Sequence, residues 1–279
     1  MADKRSILSP KHNKPKPFSV RTASLPCALS IAGADPTGAA GIHADLRTFA
    51  ALGVHGLGAI TAVTAQNSRR VIATAAVRSA QLHDQLRAVS EDFDIAAIKI
   101  GMLASAQNIR TVTDFLRDQK ARNVVLDPVL VSSSGTALLP VTAQRALIRL
   151  FPHVDVVTPN RPEAAALLGR TMPARQAARA LLDLGARAVL LKGGHARGAI
   201  VDYFADSDGV REIHHVRLPF AARGTGCVLS SAIAAHLALG LKMADAIDAA
   251  EAFLQRALRR SSPAGRSAAR FLFFESPNE

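Results

Sequence analysis

From Cys27 onward, short β-branched apolar runs alternate with Ala- and Leu-rich runs of helical length, and this alternation constrains the fold more than any other feature of the 279-residue chain. "CALSIAG" reads as a first strand, and "AITAVTAQ", "AAIKIGML", "NVVLDPVLV", "DVVTPN" and "AVLLKGG" follow as further strands. Several are continuously apolar rather than alternating, the pattern of strands covered on both faces. Helical stretches over 106–120, 141–151 and 172–185 separate them, which is the βαβ rhythm of a parallel sheet. The segment "GAIVDYFADSDGVREIHHVRLP" breaks the rhythm and reads as a hairpin turning at Asp208-Gly209. The pattern is helical again over 226–240 and 243–260. The expected fold is therefore α/β, with a mostly parallel central sheet and helices on both faces.

No internal repeat or linker interrupts residues 26–260, so one domain is expected there, with a tail at 261–279. Residues 1–25 are rich in Lys and Pro without hydrophobic period and are expected to form a disordered basic tail. That location matters because the net charge is +12. Residues 1–22 carry six basic side chains against Asp3, and residues 256–279 carry five arginines against Glu275 and Glu279. Most of the excess thus sits at the ends, and no zinc-finger or aromatic-basic RNA motif accompanies it, so nucleic-acid binding is not expected. Cys27 and Cys227 lie 200 positions apart without a Cys/His cluster, which excludes a disulfide framework and a cysteine zinc site. No uninterrupted apolar run is long enough to cross a membrane and no secretory h-region is visible, so a cytoplasmic location without membrane contact is expected.

In open parallel sheets ligands bind at the carboxyl ends of the strands. Gly33-Ala34-Asp35, Gln66-Asn67, Gly101-Met102, Asp127-Pro128, Asn160 and Lys192-Gly193-Gly194 all fall at such ends. "RGTGC" adds two glycines at a helix start, where backbone N–H groups and the helix dipole form an anion hole. The same field is expected to lower the thiol pKa of Cys227. Asn160, Pro162 and Glu163 in "TPNRPEAAALLG" read either as a helix cap or as part of a hydrated Mg²⁺ site. Asp127, after three apolar residues, needs a buried partner, and Lys192 is a cation able to neutralise a transferring phosphoryl group. No Walker-type loop is present. Anion hole, carboxylates, lysine and thiol together fit phosphoryl transfer from a nucleotide.

The run "ALSIAGADPTGAAGIHADLRTFAALG", "ITAVTAQNS", "IKIGMLAS", "NVVLDPVLVSSSG", "TPNRPEAAALLG", "LKGGH" and "GTGC" resembles, in order and spacing, the hydroxymethylpyrimidine/phosphomethylpyrimidine kinases of thiamine biosynthesis, within the ribokinase-like superfamily. The resemblance covers about residues 27–257 and implies a ribokinase-like three-layer sandwich and a kinase domain over 26–260. By position it implies that Gly224, Thr225 and Gly226 cradle phosphates, with Cys227 at the general-base position and Lys192 on the transferred group. Asn160 and Glu163 match a Mg²⁺-organising motif supported by Asp127, partly through water. Asp45 and Gln66 match hydrogen-bonding partners of the aminopyrimidine, and Met102 and Val129 its apolar walls.

The implied reaction is ATP-dependent, Mg²⁺-assisted phosphorylation of 4-amino-5-hydroxymethyl-2-methylpyrimidine and then of its monophosphate, by a homodimer. The chain departs from the family pattern at Ala39, where Gly is common, His43, where Gln is usual, Thr136, where an acidic residue is common, and Arg223, where His is usual. Three other readings stand beside it: a pyridoxal/pyridoxine kinase, a non-catalytic pyrimidine-binding protein, and a cysteine hydrolase pairing Cys227 with His195 or His215. The last has no need of a phosphate loop around its nucleophile.

Overall fold

The computed structural model describes residues 25–194 and 200–274. The basic tail expected over 1–25 thus lies almost wholly outside the described residues, as does His195. In chain order the elements are β1 (Cys27–Ala34), α1 (Gly41–Ala51), β2 (His55–Gln66), β3 (Val71–Ala76), α2 (Ser79–Ser90), β4 (Ile95–Ile100), α3 (Ala106–Asp118) and β5 (Val124–Leu126). There follow α4 (Gln144–Ile148), β6 (Val156–Val157), α5 (Arg161–Leu168), α6 (Ala174–Leu182), β7 (Ala188–Leu191), β8 (Ile200–Asp206) and β9 (Gly209–His215). The chain continues through α7 (Thr225–Ala238), α8 (Met243–Arg259), β10 (Ser262–Pro263) and β11 (Arg270–Phe271).

Nine strands form one sheet in the order β3-β2-β1-β4-β5-β6-β7-β8-β9. The six from β2 to β7 are parallel, and antiparallel pairings at β2–β3, β7–β8 and β8–β9 finish the two edges. The hairpin expected at Asp208-Gly209 is β8–β9, with Gly209 at φ +139°. Two cores sandwich the sheet, because successive side chains of a strand point to opposite faces. Leu29, Ile31, Ile98, Ile100, Val124 and Leu126 meet the layer containing α2 to α6. Ala28, Ala97, Val125, Ala188 and Leu190 meet α1, α7 and α8. Small residues at Ala28 and Ala97 suit close approach by α7, which is apolar on all sides and buries nine residues from Val228 to Leu237. Among the described residues no helix is long and apolar enough to cross a membrane.

Two expectations need correcting. The stretch 141–151 is not one helix: a 3-10 turn at Val141–Ala143, the five residues of α4 and a second 3-10 turn at Phe151–His153 share it. The domain also does not stop at residue 260. Leu272 is buried in the core around α7 and α8, and β11 joins Ala222 through a parallel bridge, so the described part of the C-terminal segment is built into the domain.

Candidate active site

Six parallel strands deliver their carboxyl ends to one rim of the sheet, and the N-termini of α1 and α7 reach the same rim. Between them opens a cleft of about 560 Å³. Its walls include Gly33 and Asp35 after β1, Gln66 at the end of β2, Met102 after β4, Asp127 and Val129 after β5, Asn160 and Glu163 at α5, and Lys192 after β7. Arg223 and the whole Gly224-Thr225-Gly226-Cys227 turn close it. Every site residue inferred from the sequence except Asp45 therefore borders one cavity. A separate depression of about 480 Å³ beside α5 and α6 has no carboxylate or thiol in its lining.

Gly224 explains the turn. Its φ is +72°, and a Cβ there would run into the carbonyl oxygen of Ala39, so only glycine lets the 221–227 and 35–41 loops approach this closely. No side chain caps α7 at Gly224, so the first-turn N–H groups of α7 have no side-chain partner. Gly226 brings the turn over the charged floor: a Cβ on it would lie 3.1 Å from Lys192 Nζ and 3.6 Å from Asp127 Oδ2.

Lys192 donates to Asp127 Oδ1 at 2.8 Å, which supplies the partner that Asp127 was expected to need. Lys192 keeps its proton more firmly than usual: burial works against the charge, but Asp127 and Glu163 outweigh it. Asn160 and Glu163 form a capping box, with Glu163 N–H donating to Asn160 Oδ1 at 2.9 Å and Asn160 N–H to Glu163 Oε2 at 2.8 Å. The capping reading is thus present in full, and it aims the carboxylate inward beside Lys192 and Asp127. Burial pushes Glu163 up to about 7, with Lys192 opposing and Asp127 adding repulsion. Two like charges crowded around hard oxygen donors fit a divalent cation that retains its waters.

Two expectations fail here. Asp45 does not face the cleft. It is 0% exposed, and its oxygens accept from Lys99 Nζ at 2.8 Å, Ser30 Oγ at 2.6 Å and Ser231 Oγ at 2.7 Å. A carboxylate so saturated has no hydrogen bond left for a pyrimidine. The thiol of Cys227 is not activated either: burial pushes it up to about 11, with Lys99 opposing and Asp127 and Asp45 assisting. The helix field exists, but desolvation of the half-buried thiol outweighs it while the residue still borders the cleft.

Lys99 was missed. It lies beneath the cleft without exposed area, and Gly101 leaves room for it, since a Cβ there would sit 2.8 Å from its Nζ. A lysine inside the apolar "AAIKIGML" was its only signal. His43 is exposed, with Nδ1 held 2.8 Å from the Asp35 carbonyl oxygen, and does not border the cleft. Arg223 does border it, anchored by a hydrogen bond to the Ser68 carbonyl at 3.0 Å. His215 belongs to a separate cluster with Asp202 and Glu251, so it is not the partner of Cys227.

A family model described as phosphomethylpyrimidine kinase matches residues 35–271. The hydroxymethylpyrimidine/phosphomethylpyrimidine kinase of Rhizobium meliloti strain 1021 is 46% identical over 244 residues, spanning 83% of this chain and 90% of the relative. The crystal structure of phosphomethylpyrimidine kinase from Clostridium difficile 630 superposes with a TM-score of 0.75 at 36% identity, covering 83% of this chain and 99% of that one. An ADP complex of Bacillus subtilis pyridoxal kinase superposes with a TM-score of 0.84 at 29% identity, covering 91% and 99%.

Proposed function

The chain belongs to the phosphomethylpyrimidine kinase family, and from that premise we propose how its cleft carries the family's two phosphorylations in thiamine biosynthesis. ATP is the phosphoryl donor, and the acceptors are the hydroxymethyl group of 4-amino-5-hydroxymethyl-2-methylpyrimidine and then the monophosphate so formed. The observation that carries the residue roles is the meeting of an uncapped helix N-terminus, Lys192, the Asp127/Glu163 pair and Cys227 in one cavity.

In this reading the N–H groups of Thr225, Gly226 and Cys227 hold phosphate oxygens against the positive end of α7. Lys192 follows the transferred group and offsets the charge that gathers on its equatorial oxygens. Asp127 and Glu163, with Asn160 holding the Glu163 backbone, would retain a hydrated Mg²⁺, which would supply charge neutralisation for the phosphates. Gln66 supplies a hydrogen-bonding edge for the ring, and Met102 and Val129 its apolar walls. Cys227 takes the alcohol proton. Arg223 at the mouth adds a positive charge suited to the monophosphate.

A homodimer belongs to the same reading, supported by exposed Val63 and Ile72 on the β2–β3 edge, and so does a cytoplasmic location, supported by two free cysteines. The pyridoxal reading is kept by one observation, the TM-score of 0.84 to a pyridoxal kinase.

The test is ADP release with Mg²⁺ and a panel of the pyrimidine alcohol, its monophosphate, pyridoxal and pyridoxine. Turnover on both pyrimidines is expected. Turnover on the pyridine alcohols alone would transfer the assignment to them, and tight pyrimidine binding without turnover would leave a binding protein.

A further inference from the structure

Three ionisable side chains meet away from the cleft, behind the strand end that carries Lys192. They are Asp202 on β8, His215 closing β9, and Glu251 in the middle of α8. His215 Nε2 lies 3.4 Å from Asp202 Oδ2 and 3.6 Å from Glu251 Oε2, and one ligand atom from each residue falls within 4.8 Å of the others. The three side chains are each about 7% exposed. Among the described residues, His215 Nε2 and Glu251 Oε1 have no hydrogen-bond partner. Asp202, by contrast, has one oxygen committed: Oδ1 accepts from the Gly193 N–H at 2.6 Å, leaving Oδ2 to face the imidazole.

This is an unbalanced arrangement for a protein interior. Two buried carboxylates share one imidazole, so with both of them ionised the cluster is negative even when the ring is protonated, and uncompensated charge is costly to bury. Directed hydrogen bonds would relieve the cost, but separations of 3.4 and 3.6 Å without suitable alignment are ionic contacts and not good hydrogen bonds. The same separations suit a shared ion. Ligand bonds of about 2.0–2.2 Å at near-tetrahedral angles hold donor atoms roughly 3.4 Å apart.

We propose that Asp202 Oδ2, His215 Nε2 and Glu251 form a binding site for a divalent transition-metal ion of the Zn²⁺ class, separate from the nucleotide cleft. One imidazole and two carboxylates are a borderline donor set, which Zn²⁺, Co²⁺ or Mn²⁺ accept and Mg²⁺, an oxygen-seeking ion, does not favour. The ion ties the β8–β9 hairpin to α8. Through the second oxygen of Asp202 it also fixes the backbone of Gly193, the residue after Lys192. That backbone is already tightly seated, because a Cβ on Gly193 would collide with the Val201 carbonyl. The site is therefore a clamp on the strand end that presents Lys192.

The experiment uses the full chain, stripped with chelator and titrated with Co²⁺ in the absence of nucleotide and Mg²⁺. One Co²⁺ per chain with visible d–d absorption, displaced by Zn²⁺, is expected. His215→Ala and Glu251→Gln should each weaken binding by about tenfold or more, whereas Glu163→Gln should retain the band. Zn²⁺ should raise the Tm of the wild type and leave that of His215→Ala unmoved. Circular dichroism establishes that His215→Ala folds, and if it does not, Glu251→Gln carries the comparison. The proposal is overturned by a wild type that develops no saturable Co²⁺ band, by bands unchanged in both cluster variants, or by a band lost in Glu163→Gln.

Discussion

At Cys227 two influences on one thiol compete. The start of α7 and the ammonium of Lys99 favour a thiolate, while burial, aided by Asp127 and Asp45, disfavours it and prevails, leaving the pKa at about 11. A thiolate of that basicity is a stronger proton acceptor than an ordinary one but is present only rarely near neutral pH. If Cys227 is the proton acceptor, turnover should climb close to tenfold per pH unit from pH 7 towards the thiol pKa. Cys227→Ala should lower kcat by about 10²–10⁴ with little change in the KM for ATP. A flat pH–rate profile together with an unaltered Cys227→Ala rate would remove the thiol from the mechanism. Asp45 calls for a different experiment, since it balances Lys99 in a site with no exposed area. Asp45→Asn should cost about 3–5 kcal/mol in urea unfolding, the range for breaking a buried pair. A pyrimidine ligand would instead raise the substrate KM and leave stability alone. The role assigned to Asp45 by position could not reveal this, because its partners Ser30, Lys99 and Ser231 come from β1, β4 and α7 and meet only in three dimensions.

The elements themselves were largely legible where hydrophobic period and punctuation agreed. The parallel strands read as continuous apolar runs, the β8–β9 turn as Asp208-Gly209, and the start of α5 as Asn160, Pro162 and Glu163 in capping positions. β3 and α2 went unread for a physical reason. β3 is an edge strand with five of its six residues exposed, and α2 buries only Leu82 and Leu86, so neither carries a strong pattern. The region 141–153 misled because its apolar residues are spread over two 3-10 turns and one short helix, where the 3.6-residue period does not hold. At the α7 entry, by contrast, "GTGC" announced the geometry, and Gly224 is the position that depends on it. Gly224→Ala meets both a left-handed φ and the Ala39 carbonyl, so the two loops must separate. We expect a KM for ATP raised at least tenfold with the sheet intact by circular dichroism. Unchanged nucleotide affinity would show that the turn does not hold phosphate.

At the scale of the whole molecule, the sheet brings residues 35 to 227 to one rim, and the C-terminal segment then returns to brace that rim from outside. This return is not legible in the sequence, since Leu272 and Phe274 follow an Arg- and Ser-rich stretch that reads as a tail. In the structure Leu272 is 5% exposed among α7 and α8 residues, and Phe274 packs on Phe253 with ring centroids 5.4 Å apart. Arg47 of α1 donates to the Leu272 carbonyl at 3.2 Å and lies over the Phe274 ring. The same segment grips the loop ahead of the Gly224-Thr225-Gly226-Cys227 turn: Arg270 N–H donates to the Ala221 carbonyl and Arg223 N–H to the Arg270 carbonyl, both at 2.9 Å. Packing and loop anchoring can be separated. Leu272→Ala removes a buried side chain and leaves those backbone bonds in place, so it should cost about 2–5 kcal/mol of stability while kcat well below the Tm stays near wild type. Deleting residues 261–279 removes both, and should lower the Tm and also raise the KM for ATP, because residues 221–223 lose the strand that holds them against Gly224. If the truncated chain, assayed well below its Tm, keeps wild-type kinetics, the segment contributes stability alone and the phosphate turn is held entirely by α7 and the 35–41 loop.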